Sequence, residues 1–122
     1  MSDSQLKKDQ QLFAKCIGGL LHFVYTSDWN KKMGYKRVEL RLDDFNRPDK
    51  RGHMINSRHY ERCAGDILLD VDGKYIEDSF HPVYLQMAKF WEGLHPRARW
   101  GGRFRKADGN HFSIASPDLL RA

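Results

Sequence analysis

Cysteine and long apolar stretches are scarce in this sequence. Its 122 residues contain two cysteines, Cys16 and Cys63, which lie far apart and form no Cys-x-x-Cys pattern. We therefore expect two free thiols in a reducing compartment rather than a disulfide framework. The apolar stretch at residues 17–25 is interrupted by two glycines and a histidine, and it is too short to span a bilayer. Together with the polar N-terminus, it predicts a protein made in the cytoplasm without a signal peptide.

The remaining composition is that of an ordinary globular domain. Hydrophobic residues make up 40% of the chain and charged residues 30%. The length is sufficient for one core without disulfides, so we expect residues 1–122 to form a single domain. The formal net charge of +5 favours an anionic partner such as nucleic acid, an anionic membrane surface or an acidic cell-wall polymer.

Two helices are predicted from apolar periodicity. Apolar residues at helical spacing indicate a first helix over residues 4–26. Pro82 marks the start of a second helix, whose apolar stripe continues to Leu94. Residues 26–34 have the composition of a polar turn, and residues 45–54 that of an exposed, charged loop.

Several short strands complete the predicted fold. Alternation indicates a half-buried strand at residues 38–42, and a continuous apolar run indicates a buried strand at 67–71. Asp72-Gly73 is typical of a two-residue hairpin turn, and residues 111–115 predict a final strand after a turn at 100–102. We therefore expect an α+β fold, in which a small antiparallel sheet packs against two main helices.

Four side chains have the chemistry of a mononuclear catalytic zinc site. His59, Asp66 and His111 offer two imidazoles and a carboxylate, a donor set that can hold the ion and leave a fourth position for water. Asp108 lies three residues before the last histidine, where a carboxylate that does not bind the metal could accept a proton from that water. From spacing alone the alternative stays open, because a single histidine is more often a surface or core residue.

A basic segment, Arg97-Ala-Arg99-Trp-Gly-Gly-Arg103-Phe-Arg105-Lys106, supports a different class of function. Arginines interleaved with aromatic residues are typical of surfaces that bind phosphates and stack on bases. A small nucleic-acid-binding protein is therefore an alternative hypothesis, although it leaves the histidines and aspartates unexplained. The same cations lie close in sequence to Asp108, where they could contact an anionic substrate instead.

The ordered pattern Ser57-x-His59-x-x-x-x-Ala-x-Asp66, then Trp-Gly-Gly, then Asp108-x-x-His111, resembles a known family. This is the family of D-Ala-D-Ala carboxypeptidases and L-alanyl-D-glutamate endopeptidases, zinc peptidases with a Hedgehog-like fold. The likeness extends over most of the chain. Segment 40–48 resembles the family's strand that ends in an arginine-containing loop, and segments 90–94, 100–104 and 109–112 resemble the bacteriophage endolysin branch.

The resemblance implies a role for each residue that matches the family motif. His59, Asp66 and His111 would bind one Zn²⁺, and Asp108 would be the general base. Arg47 would hold a substrate carboxylate or stabilise the oxyanion, and Ser57 would support the ligand loop or bind substrate. The chain departs from the family pattern at two positions: Arg62 replaces a frequent glycine, and Asp108 replaces a more frequent, longer glutamate.

The resemblance also implies a substrate and a setting. We expect hydrolysis of the peptidoglycan stem peptide, at the L-alanyl-D-glutamate bond in preference to the terminal D-Ala-D-Ala bond. The expected protein is a monomeric phage or prophage endolysin with no separate wall-binding domain and no nucleic-acid partner. It would be made in the host bacterial cytoplasm, reach the anionic cell wall after the membrane is permeabilised, and use its positive charge there. A catalytically silent, zinc-binding structural module is a further alternative.

Overall fold

A computed structural model describes residues 3–45 and 62–117, which form an α+β fold with a small antiparallel sheet. The helices are α1 (Asp3–Thr26), the short α2 (Trp29–Lys32) and α3 (Pro82–Leu94). The strands are β1 (Val38–Asp43), β2 (Ala64–Val71), β3 (Lys74–Tyr75), β4 (Ala98–Trp100) and β5 (His111–Ile114), and a 3₁₀ turn spans Gly101–Arg103.

The sheet has the order β1-β2-β5-β4, and β3 forms a hairpin with β2. All pairings are antiparallel, so the long strand β2 is central and contacts three of the other four strands. The hairpin turn at Asp72-Gly73 has positive φ at both residues, 51° and 83°, as a tight two-residue connection requires. Because β5 follows β4 along the chain but lies beside β2, it brings the C-terminal part of the chain into the centre of the sheet.

The two long helices cover one face of this sheet. Burial alternates along β2, so Gly65, Ile67, Leu69 and Val71 face the helices, while Asp66 and its alternate neighbours lie on the opposite face. The core contains aromatic and aliphatic side chains from α1, α3 and the strands: Phe13, Leu20, Val24, Ile67, Leu69, Tyr84, Met87, Trp91, Phe112 and Ile114.

Helix α3 begins where the sequence predicts it. Pro82 occupies the first turn, where its missing N–H costs nothing. The preceding residue, His81, caps the helix, because its Nδ1 accepts a hydrogen bond from the backbone N–H of Val83 at 3.1 Å. The segment before α3 is thereby fixed next to the strands, which is important for the candidate site described below.

The predicted helices and strands are found, with three differences in detail. The segment predicted as a polar turn includes the four-residue helix α2. Strand β4, at Ala98–Trp100, was not expected, and it directly precedes the predicted turn at residues 100–102. The predicted loop at 45–54 lies outside the described residues except for Phe45. Within the described ranges, no helix is both long enough and apolar enough to cross a membrane.

Candidate metal centre

Strand pairing brings two of the predicted site residues together. Asp66 near the start of β2 is directly opposite His111 at the start of β5. Opposite residues in an antiparallel pair project from the same face of the sheet, so both side chains lie on the face away from the helices. These two residues are 45 positions apart in the sequence and are joined only by the sheet register.

Asp108 reaches the same place through a tight turn. The backbone N–H of Asp108 donates to Gly101 O at 2.9 Å, and the N–H of His111 donates back to Asp108 O at 3.1 Å. The next carbonyl, Asn110 O, accepts from the N–H of Ile67 at 2.7 Å, which ties the turn to β2. The backbone therefore fixes Asp108 in position three residues before His111.

Glycine is required at Gly101 because the backbone turns back on itself. A Cβ atom at Gly101 would overlap Asp108 O and would lie 2.6 Å from the Cβ of His111. Any side chain at this position would collide with Asp108 and His111 and displace the turn from Gly101. The Trp-Gly-Gly segment is thus a structural requirement of the turn that carries these two residues.

A second set of contacts holds the middle of the turn. The N–H of Gly109 donates to Ser79 Oγ at 2.9 Å, and the indole Nε1 of Trp100 donates to Gly109 O at 2.7 Å. A Cβ atom at Gly109 would lie 2.5 Å from the Cα of Ser79. The segment before α3 and the end of β4 therefore hold Gly109 from two sides.

Together these contacts produce a cluster of three side chains that could hold a metal ion. One donor atom from each of Asp66, Asp108 and His111 lies within 4.8 Å of the others. Asp108 is exposed, Asp66 is half-buried and His111 is 8% exposed, so the cluster opens to solvent on the side of Asp108. One imidazole nitrogen and two carboxylate oxygens are donors of the kind that zinc binds.

Aromatic rings pack on both faces of the sheet near this cluster. The ring of Phe104 lies 5.0 Å from the ring of His111, centroid to centroid, at an interplanar angle of 56°. On the other face of β2, the ring of Phe45 packs on Gly65, where a Cβ atom would overlap it. Oδ1 of Asp66 is itself shielded from solvent. The partial exclusion of water would strengthen the interaction of these donors with a cation.

Arg62, two residues before β2, has an unusual backbone conformation. Arg62 has φ 58°, in the left-handed region that favours glycine. The following residue is anchored, because Cys63 O accepts from the N–H of Ile114 at 2.9 Å. Arg62, which stands where the family often has glycine, therefore adopts a backbone conformation that glycine adopts most easily.

A buried tyrosine lies near the carboxylates. Tyr84 Oη donates to Ile67 O at 2.9 Å and is enclosed by the core. Burial raises the pKa of Tyr84, and the negative charges of Asp108 and Asp66 raise it further. Tyr84 is therefore a neutral hydrogen-bond donor that supports β2 beside the cluster.

The basic segment is divided among different partners. Arg97 forms an ion pair with the buried Asp9, and Arg103 forms one with Glu92. Arg99 donates to the carbonyls of Pro96 and Ala98. Three of the five cations are thus used within the protein. The other two, Arg105 and Lys106, are exposed in the turn between Phe104 and Asp108.

The structure brings together Asp66, Asp108 and His111 of the six predicted site residues. His59, Ser57 and Arg47 lie outside the described residues. Sequence reasoning did not identify the supporting roles of Ser79 and Phe104. The sequence signal for each residue was weak. Ser79 is a serine three residues before the proline that starts α3, and Phe104 is an aromatic residue four positions before Asp108.

No family model, no curated protein and no solved structure matches this chain.

Proposed function

We propose that this protein is a zinc-dependent peptidase that hydrolyses the stem peptide of peptidoglycan. The observation that carries the proposal is the meeting of Asp66, Asp108 and His111 at one end of the sheet. These residues occupy the motif positions to which the resemblance assigns a metal ligand, a general base and a second ligand. Three positions of the motif that lie up to 45 residues apart are thus close together in the fold, which supports the proposal.

The donor set supports zinc as the metal. Asp66 and His111 supply an oxygen and a nitrogen, and His59 is proposed as the third ligand on the basis of the motif. A zinc ion held there would polarise the scissile carbonyl and lower the pKa of a water molecule. The proposal leaves Asp108 free of the metal and available for proton transfer.

The exposure and the fixed backbone of Asp108 support a role as general base. Its side chain is exposed, so substrate and water can reach it, and its backbone is fixed at both N–H and C=O. In the proposed reaction it accepts a proton from the attacking water and delivers that proton to the leaving amine. Arg47 is proposed to hold a substrate carboxylate or the developing oxyanion, and Ser57 to support the ligand loop or bind substrate.

We propose the L-alanyl-D-glutamate bond as the target, with removal of terminal D-alanine as the alternative in the same family. The choice depends on the likeness to the endolysin branch, since cutting next to the glycan detaches whole stem peptides and weakens the wall. The fold proposed with it is Hedgehog-like. The observed α+β architecture, with a small antiparallel sheet that carries the site at one end of its two inner strands, supports that proposal.

Charge supports a wall-associated role more than nucleic-acid binding. Arg97, Arg99 and Arg103 have partners within the protein, so the basic segment does not present a continuous cationic stripe. Arg105 and Lys106 are exposed in the segment that leads to Asp108, where they could attract the carboxylates of the stem peptide or an anionic wall polymer. We propose action as a monomer, on the wall, after the membrane has been permeabilised.

The direct test is digestion of purified peptidoglycan by the zinc-loaded protein, with products identified by mass spectrometry. The expected result is stem peptides with a newly exposed D-glutamate amine, and no digestion after zinc is removed by a chelator. Products that have lost only terminal D-alanine would assign the alternative bond.

Two other outcomes would replace the proposal. Stoichiometric zinc without cleavage would indicate a silent structural module. Tight binding to DNA or RNA, with a steep dependence on salt and no cleavage, would support the nucleic-acid hypothesis.

A further inference from the structure

Phe104 is the exposed aromatic residue that touches the candidate metal centre. Its ring packs against the imidazole of His111, yet 44% of the residue remains accessible to solvent. A single exposed phenyl ring is unremarkable elsewhere on a protein surface. Here the exposed ring lies against His111, in the same cluster as the exposed Asp108.

The backbone places Phe104 and Asp108 side by side. The N–H of Phe104 donates to Gly101 O at 3.1 Å, and the N–H of Asp108 donates to the same oxygen at 2.9 Å. The segment between them is therefore a closed loop, with both ends held by one carbonyl. Gly101 also lies close to the Cβ of His111, so the backbone holds Phe104, Asp108 and His111 around one glycine.

We propose that the exposed face of Phe104 is the wall of a substrate subsite, where it packs against the methyl group of the L-alanine that precedes the scissile bond. This inference rests on the proposed peptidase function and specifies its substrate recognition. Of the two residues that share the L-alanyl-D-glutamate bond, alanine has the purely apolar side chain, whereas D-glutamate carries a carboxylate. An apolar wall beside the metal centre therefore fits the alanine side.

The chain provides a matched control in Phe80. Phe80 is also an exposed phenylalanine, at 53%, but its ring packs edge-on against Trp100 at 6.1 Å rather than against His111. Truncating Phe80 removes a comparable apolar surface without changing the contact with the proposed ligand. Any effect specific to the subsite should appear in Phe104→Ala and not in Phe80→Ala.

The test compares two synthetic muramyl tripeptides that differ only in whether L-alanine or glycine precedes D-glutamate. One methyl group in an apolar site changes kcat/KM by about 10–200-fold, and for a half-exposed wall we expect a preference of about tenfold for alanine. Phe104→Ala should abolish this preference and keep near-stoichiometric zinc, whereas Phe80→Ala should keep both. Phe104→Leu, which retains an apolar side chain, should keep part of the preference.

A binding measurement separates the subsite from the chemistry. Calorimetry with the Asp108→Ala variant, which should bind the tripeptides without cutting them, should show the same alanine preference and its loss when Phe104→Ala is added. If Phe104→Ala keeps the preference, or if both Phe104→Ala and Phe104→Leu lose zinc, Phe104 only holds His111 and the inference is wrong. If the unaltered protein cleaves neither tripeptide but binds them with a Phe104-dependent preference, the subsite stands and the peptidase proposal fails. Absence of both cleavage and binding would overturn both.

Discussion

The ion pair between Arg97 and Asp9 allows a stability prediction that also tests how the basic segment is used. Asp9 in α1 is 0% exposed and the side chain of Arg97 is 11% exposed, with Nη2 of the arginine 2.9 Å from Oδ1 of the aspartate. Arg97 also donates to Ala115 O at 3.1 Å, and Gln5 donates to the same Asp9 oxygen at 2.8 Å. The pair therefore joins α1 to the strands that lead to the candidate centre.

Replacing Arg97 by methionine removes the cation and leaves a fully buried carboxylate. Breaking a buried pair in this way costs about 3–5 kcal/mol. In a domain of this size, each kcal/mol lowers Tm by about 3–5 °C, so we expect a decrease on the order of 10–20 °C. Because the cost arises from the uncompensated charge, the double variant Asp9→Leu/Arg97→Met should recover most of the loss.

The measurement is urea unfolding followed by tryptophan fluorescence and circular dichroism. Arg105→Gln is the control, because Arg105 is exposed in the same basic segment and should change the free energy of unfolding by less than about 0.5 kcal/mol. If Arg97→Met and Arg105→Gln have the same small effect, the ion pair does not stabilise the fold and Arg97 is available for an external partner. A double variant no more stable than Arg97→Met alone would also refute the electrostatic explanation.

Three further predictions concern the centre and its support. Asp108→Ala should keep zinc but lose about 10²–10⁴-fold in activity, as expected for a general base, whereas His111→Ala should lose zinc. Metal analysis and rate measurements on the same preparations test this prediction. Loss of zinc from Asp108→Ala would show that Asp108 is a ligand. His81 caps α3 only as neutral imidazole, and burial lowers its pKa below the usual 6.5. The unfolded chain therefore binds more protons, and this cap should stabilise the fold by about 1 kcal/mol. That stabilisation should be complete above about pH 6.5 and lost as the pH falls through the folded-state pKa of His81. His81→Asn should remove this pH dependence in urea titrations, and an unchanged pH profile would contradict the reasoning. Arg62→Gly should raise the free energy of unfolding by about 0.5–1 kcal/mol, because φ 58° is strained for arginine, and a destabilised variant would show that the side chain makes a compensating contact.

The parts of the fold that sequence predicted are those with local signals. Helical periodicity identified α1, Pro82 identified the start of α3, and Asp72-Gly73 identified the hairpin. Strand β4 has no such signal, because Ala98-Arg99-Trp100 is too short to show alternation. It is a strand because β5 pairs with it in register, Trp100 opposite Phe112, and that partner comes from later in the chain.

The same distinction applies to the candidate centre. The spacing of Asp108 and His111 within one turn is local, and a tight turn could be expected from the intervening Gly-Asn. The pairing of Asp66 with His111 depends on strand register, which no spacing specifies. In the sequence, only the ordered motif assigned Asp66, Asp108 and His111 to one site. The prediction of the cluster therefore depended on the resemblance rather than on periodicity.

The glycines connect the sequence motif to the geometry of the centre. Gly101 lets the chain approach Asp108 and His111 closely, and Gly109 lets the turn lie against Ser79. Neither glycine offers a side chain to a metal or a substrate, but each occupies a place where a Cβ atom would overlap a neighbour. The backbone between β4 and β5 has no side chain at Gly101 or Gly109, the two positions of closest contact. The donor atoms of Asp108 and His111 can therefore lie near Asp66. Gly101 and Gly109 are thus evidence for the position of Asp108 and His111 as well as for the turn itself.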